Sequence, residues 1–192
     1  MELEELPEKL LIIGGGYIGL EFASYYTNFG SQVTIVQDGE AFIPREDEEV
    51  SAAVLEHMTA AGMRILRKAA VTSVRDENGK AIASVKTEDG EEELCVDAIL
   101  VATGRRPNLA ELHPEKAGIE LTQRGAVKTD EGLRTNIPHI WAIGDVAGGL
   151  QFTYISLDDS RIVKSQILGD GSRTTANRGA VPYSVFLDPP LS

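Results

Sequence analysis

Gly14, Gly16 and Gly19 stand at the first, third and sixth places of Gly14-Gly15-Gly16-Tyr17-Ile18-Gly19, directly after the apolar run Leu10-Leu11-Ile12-Ile13 and before Leu20-Glu21. Glycines at this spacing, between a strand and a helix, can hold a dinucleotide. Gly14 permits a tight turn off the strand, Gly16 lets backbone approach a pyrophosphate, and Gly19 lets the helix lie close on the sheet. The helix start then offers N–H groups and the positive end of its dipole to the phosphates. Glycines also make plain loops, so the weight rests on what surrounds the motif.

The surroundings agree. Ile18, Phe22, Tyr25, Tyr26 and Phe29 recur at spacings of three and four, which predicts a helix with that face inward. Gly30 suits its C-cap, and Val33-Thr34-Ile35-Val36 reads as a second strand. About 20 residues past the glycines, a dinucleotide fold carries an acid for the adenosine ribose of NAD. Gln37 stands there, with Asp38 next. Gln37 can bond a ribose but has no charge to repel a 2′-phosphate, and Arg45 could attract one. The residues lean toward NAD over NADP, and Arg45 reads equally well as a solvated loop charge.

Glu46-Asp47-Glu48-Glu49 puts negative charge into the first turn of a second helix, where the dipole favours it. Val50, Val54, Met58 and Ala61 are its expected buried face, His57 a surface or packing residue, and Gly62 its end. Met63 to Leu66 gives a third strand. From Ala69 the period changes to two. Strands around Val71–Val74, Ala81–Val85 and Glu92–Val96, separated by Asn78-Gly79 and Asp89-Gly90, form an antiparallel meander. Cys95 within it is expected to be a small buried hydrophobe, since no basic partner is near in sequence.

Ala98-Ile99-Leu100-Val101-Ala102 is apolar throughout, as a parallel strand covered on both faces should be. It runs into Thr103-Gly104-Arg105-Arg106-Pro107-Asn108, at the strand end where ligands of such sheets bind. Residues 108–123 read as loop. Ile140–Ile143 is an expected strand ending in Gly144-Asp145. A helix with Leu157, Ile162, Val163 and Ile167 inward follows. Residues 169–179 read as a linker, and Val181 to Leu187 allows one more strand.

The 192-residue chain has an ordinary globular composition and a net charge of −12, which argues against a nucleic-acid or anionic-membrane surface. No apolar run reaches membrane-spanning length. Cys95 is the only cysteine, so no disulfide forms within the chain, which suits a reducing cytoplasm. No metal site is read. The fold class is α/β: a Rossmann-like parallel sheet with a three-stranded meander.

Three motifs stand in order: Gly14-Gly15-Gly16-Tyr17-Ile18-Gly19-Leu20-Glu21, Ala102-Thr103-Gly104-Arg105-Arg106-Pro107-Asn108, and Ala142-Ile143-Gly144-Asp145. Together they resemble the FAD-dependent pyridine nucleotide-disulfide oxidoreductases, the group of glutathione reductase, dihydrolipoamide dehydrogenase and mercuric reductase. Residues 149–159 and 181–186 look closest to the branch linked to reactive-chlorine resistance.

The resemblance implies a middle slice of a longer, homodimeric flavoenzyme. Residues 1–107 match an NAD(P)-binding insert, 108–178 the returning, incomplete half of a FAD-binding domain, and 179–192 the start of an interface domain. The first FAD half, a redox-active Cys pair and a C-terminal His-Glu pair lie outside this sequence, so the slice alone should not turn over. By resemblance, Gly14, Gly16, Ile18 and Gly19 line the pyrophosphate turn. Tyr17 looks like the gate over the flavin, and Glu21 like the carboxylate that meets a lysine of the absent FAD half and holds the nicotinamide amide. Thr103, Gly104 and Arg105 border the nucleotide, Gly104 backing it. Gly144 and Asp145 approach the flavin ribityl chain, and Phe152 and Thr153 start a helix aimed at the flavin pyrimidine.

Two other readings stay open at this point: a non-catalytic, redox-sensing nucleotide module, and a flavoprotein reductase or oxidase without the Cys pair. One structural expectation follows from the slice. Apolar segments from about Thr135 onward should pack against another copy, for instance by exchange of the segment between chains.

Overall fold

The computed structural model describes residues 3–192. Two compact units emerge: residues up to Gly104 together with Tyr183–Ser192, and Arg105–Pro182.

The first unit is built on four parallel strands in the order β3-β2-β1-β7, with β1 Lys9–Ile13, β2 Gln32–Val36, β3 Arg64–Leu66 and β7 Ala98–Val101. Ile12 stands level with Ile35 on one side and Leu100 on the other. β1 is apolar from Leu10 to Ile13, after the exposed Lys9, because it is covered on both faces. Leu10 and Ile12 enter a cluster with Leu20, Ala23, Ile35 and Met58, from helices α1 (Tyr17–Asn28) and α2 (Glu48–Ala60) and from β2. Leu11, between them, faces the opposite cluster with Val36, Ala83, Val85 and Val96. That second cover is the antiparallel meander β4 (Ala70–Glu77), β5 (Lys80–Thr87) and β6 (Gly90–Val96).

Helix α1 sits rotated from the expected face. Gly19, Leu20, Ala23 and Ser24 are buried, while Ile18, Tyr25 and Phe29 are exposed, Phe29 by 69%. The cause is the close contact at Gly19, where a β-carbon would meet the Gly14 carbonyl and Ile12 Cγ2. Small residues one turn apart set the line of contact, and the aromatics turn aside. On α2 only Met58 is buried. Val50 and Val54 are half-buried and Ala61 is exposed past the helix end.

Cys95 also departs from expectation: it is exposed. The inward positions of β6 are 92, 94 and 96, so the period of two sends residue 95 outward. Residues 181–187 form no strand, only an isolated bridge between Val185 and Leu191. Val185 (1% exposed) and Leu187 join the cluster around Leu10 and Ile12. This part of the tail therefore finds its cover within the chain, where docking loses no translational freedom.

The second unit has one long helix, α3 (Thr153–Leu168), and short 3-10 turns at Pro114–Ala117 and Gly144–Ala147. Leu109, Val127 and Ala142 form its small core. Ile140–Ile143 is not a strand: Trp141 bridges Arg134 alone, and no neighbouring strand completes a ladder. α3 turns Ile155, Asp159 and Ile162 inward, leaving Leu157 and Ile167 exposed. Residues 169–179 are tied down rather than a free linker. Gln166 Nε2 donates to the carbonyls of Gly171 and Arg173, both at 2.9 Å, and Arg178 Nε donates to Asp158 at 2.8 Å.

Candidate functional site

The chain visits β1, β2 and β3 outward, then returns to the other side of β1 with β7. The reversal lies between β1 and β7, and their carboxyl ends are where an open parallel sheet takes ligands. The glycine turn leaves β1 there, and Thr103 and Gly104 leave β7. Ala102 N–H donates to the Ile13 carbonyl at 2.8 Å, and Gly14 N–H to that of Val36 at 2.8 Å.

The glycines of the turn are not equivalent. Gly14 has φ +112°, and a β-carbon there would stand 2.5 Å from the Ala102 carbonyl oxygen. A β-carbon on Gly19 would stand 2.1 Å from the Gly14 carbonyl oxygen. Both are glycine for the sake of the fold. Gly16, the N-cap of α1, has ordinary extended backbone and no side-chain cap, and a β-carbon on it would meet nothing within 4 Å. Its neighbourhood is open where the uncapped helix start faces out. A narrow turn, clear space and amides without intrahelical partners fit the pyrophosphate of a dinucleotide.

Gln37 is 7% exposed, and its Nε2 donates to the carbonyls of Gly39 and Ala41, both at 3.0 Å. Its amide hydrogens stiffen the turn after β2, while Asp38 and Arg45 are exposed. Sequence reasoning missed two cations beside this turn. Arg67 Nη1 donates to the Glu40 carbonyl at 3.3 Å, and Lys68 Nζ pairs with Glu40 at 3.0 Å and Glu88 at 3.3 Å. Only the pairing of β3 with β2 could have signalled them.

Tyr17 opens α1 and is half-buried, with Ile18 exposed beside it. The Tyr17 hydroxyl donates to Glu46 Oε1, and the Tyr183 hydroxyl donates to the same oxygen at 2.5 Å. The two rings lie 5.9 Å apart, tilted by 41°. Burial, and then the bond to Glu46, holds the Tyr17 phenol well above the usual tyrosine range. The bond to Glu46 raises Tyr183 as well. Glu21, one turn along α1, is half-buried and its Oε1 accepts the Phe186 N–H at 3.0 Å. No sequence signal marked Glu46 or Tyr183 as partners of Tyr17.

In the second unit, Gly144 has φ +66° and its N–H donates to Asp159 Oδ2 at 2.8 Å. Asp159 is 3% exposed, and its other oxygen pairs with Arg178. Asp145, next in the turn, pairs with Arg105 at 2.7 Å, and Arg105 also donates to the Gln151 carbonyl at 3.0 Å. Phe152 stacks on Tyr154 at 5.2 Å with the planes 10° apart, and Thr153 begins α3 exposed. The unit thus brings Arg105, Gly144 and Asp145 to one turn. Among the described residues no His, Cys, Asp or Glu cluster could hold a metal ion, and no helix is long and apolar enough to cross a membrane.

Residues 1–160 match a family described as pyridine nucleotide-disulphide oxidoreductase. The whole chain is 48% identical to the probable pyridine nucleotide-disulfide oxidoreductase RclA of Escherichia coli, covering 43% of it. It is 34% identical to dihydrolipoyl dehydrogenase of Bacillus subtilis, covering 41%, and 35% identical to mercuric reductase of Streptomyces lividans, covering 40%. Among solved structures, the HOCl-induced flavoprotein disulfide reductase RclA of Escherichia coli superimposes with a TM-score of 0.90, over 98% of this chain and 42% of that one. LpdA of Mycobacterium tuberculosis does so with a TM-score of 0.87 at 29% identity, over 98% of this chain and 40% of that one. The chain spans about two-fifths of the length of these relatives.

Proposed function

The chain belongs to the pyridine nucleotide-disulphide oxidoreductases, and from that premise we propose that it is the NAD(P)H-binding portion of a FAD-dependent oxidoreductase. Residues 1–107 are read as the nucleotide-binding domain, 108–178 as part of the FAD-binding domain, and 179–192 as the start of the interface domain of a homodimer. In the parent, the residues of the glycine turn would hold a nicotinamide dinucleotide that would supply a hydride to FAD, with the electrons passing on to a disulfide, a metal ion or a small oxidant. The slice is not expected to turn over by itself.

The observation that carries this reading is the contrast among the glycines. Gly14 and Gly19 are required by backbone contacts, whereas Gly16 borders open space at the head of α1. Gly16, Ile18 and the helix start are read as the pyrophosphate cradle, with Thr103 and Gly104 bordering the nucleotide from β7. Tyr17 covers the nicotinamide place and excludes water until the nucleotide arrives. Glu21 orients the nicotinamide amide; its Oε1 accepts the Phe186 N–H, and the carboxylate has a second oxygen to offer that amide. Asp38 stands exposed at the ribose turn and Lys68 is already neutralised by Glu40 and Glu88, which supports NAD, while the exposed Arg45 and Arg67 are the cations that a 2′-phosphate would have to recruit. Asp145, fixed by Arg105, is read as the acceptor for a ribityl hydroxyl.

Titration of the full-length parent with NADH and NADPH tests the reading. Saturable binding of at least one at micromolar levels is expected, and absence of binding at millimolar levels would overturn it.

A further inference from the structure

Three residues far apart in the chain meet on one oxygen atom. Tyr17 begins α1, Glu46 lies just before α2, and Tyr183 lies at the start of the returning tail. Both phenols donate to Glu46 Oε1, Tyr183 at 2.5 Å. We propose that Glu46 is a positioning residue that latches Tyr17 in its covering position, while Tyr183 keeps the carboxylate partnered when Tyr17 swings away. The proposal rests on the reading of Tyr17 as the cover of the nicotinamide place.

The physical case is one of competing donors. Glu46 is half-buried, so a carboxylate left with no donor there is costly. If Tyr17 were its only partner, opening would strand that charge. With Tyr183 on the same oxygen, opening breaks one charge-assisted bond and leaves another, which strengthens once it is no longer shared. The latch therefore holds Tyr17 while keeping release shallow. The raised phenol ionisation of Tyr17 agrees with a hydroxyl that stays a donor.

The test uses the full-length protein with oxidised NAD⁺ and NADP⁺ as probes, so that calorimetry reads binding without turnover. Removing the latch with Glu46→Gln or Tyr17→Phe should tighten binding by roughly five- to tenfold each, less than a full charge-assisted bond because the Tyr183 bond strengthens when Tyr17 leaves. The double variant should gain no more than either single one. Tyr183→Phe should weaken binding by a similar factor, because Tyr17 becomes the sole donor. Ultraviolet titration supplies a second readout. The tyrosine lost in Tyr17→Phe should ionise at lower pH in Glu46→Gln than in the wild type, a shift that a merely structural Glu46 would not produce. Additive effects of Glu46→Gln and Tyr17→Phe, or tighter binding by Tyr183→Phe, would overturn the latch. If Tyr17→Ala leaves nucleotide affinity unchanged, the reading of Tyr17 as a cover fails, and the latch fails with it.

Discussion

A β-carbon on Gly19 would lie 2.1 Å from the carbonyl oxygen of Gly14, closer than any tolerable contact. The first and last glycines of the turn are thus locked together by the backbone. That contact draws α1 onto β1 and fixes the helix rotation that buries Leu20 and Ala23.

Gly19→Ala and Gly16→Ala should therefore part ways. Gly19→Ala forces backbone apart and should cost about 1–3 kcal/mol of stability, read by denaturant melting of the full-length protein. Gly16→Ala meets nothing in the protein and should melt almost as the wild type does. Its nucleotide affinity should nonetheless fall at least roughly tenfold, since the methyl enters the space read as the pyrophosphate cradle.

Asp159 is the most consequential carboxylate of the second unit. It pairs with Arg178 and accepts the Gly144 N–H at 2.8 Å while almost wholly buried. Asp159→Ala would leave the Gly144 N–H without its acceptor and Arg178 with Asp158 as its remaining partner, at about 1–3 kcal/mol. Arg173→Ala, removing the half-exposed partner of Asp158, should cost less than about 1 kcal/mol. Thermal melting of both variants checks the contrast.

Asp145 and Arg105 are both nearly half exposed, at 42% and 47% of their side chains. Their pair should add at most about 1 kcal/mol to stability. Asp145→Asn should accordingly leave the melting temperature nearly unchanged. Flavin content after purification should drop, if Asp145 holds the ribityl chain as proposed.

Asp97 ties the end of the meander to β1. The Lys80 ammonium, and then the Lys9 N–H at 2.8 Å, hold its carboxyl below the usual aspartate range. A lowered carboxyl contributes stability above its unfolded pKa, about 4, and loses it as pH falls through the folded value. Asp97→Asn should therefore melt lower than wild type at neutral pH, with the gap closing as pH drops below about 4. Melting curves across pH read the effect directly.

Local spacing was enough to reveal the parallel strands, the meander and the glycine turn, because each is a short-range signal. Leu10–Ile13 and Ala98–Val101 read as strands from apolar content alone, although the double cover expected of Ala98–Ala102 does not hold, since β7 lies at the sheet edge with Val101 69% exposed. Asn78-Gly79 and Asp89-Gly90 marked the hairpins. The family was legible for the same reason, in three compact motifs. Tertiary packing decided the rest. Small Gly19 and Ala23 overruled the aromatic stripe of α1, the strand period turned Cys95 outward, and Ile140–Ile143 met only the short Leu133–Thr135 segment, giving a single bridge rather than a ladder. Tyr183 meets Glu46 across 137 residues of chain, and Asp159 meets Gly144 across 15. No periodicity encodes such meetings; they exist only once the backbone has closed.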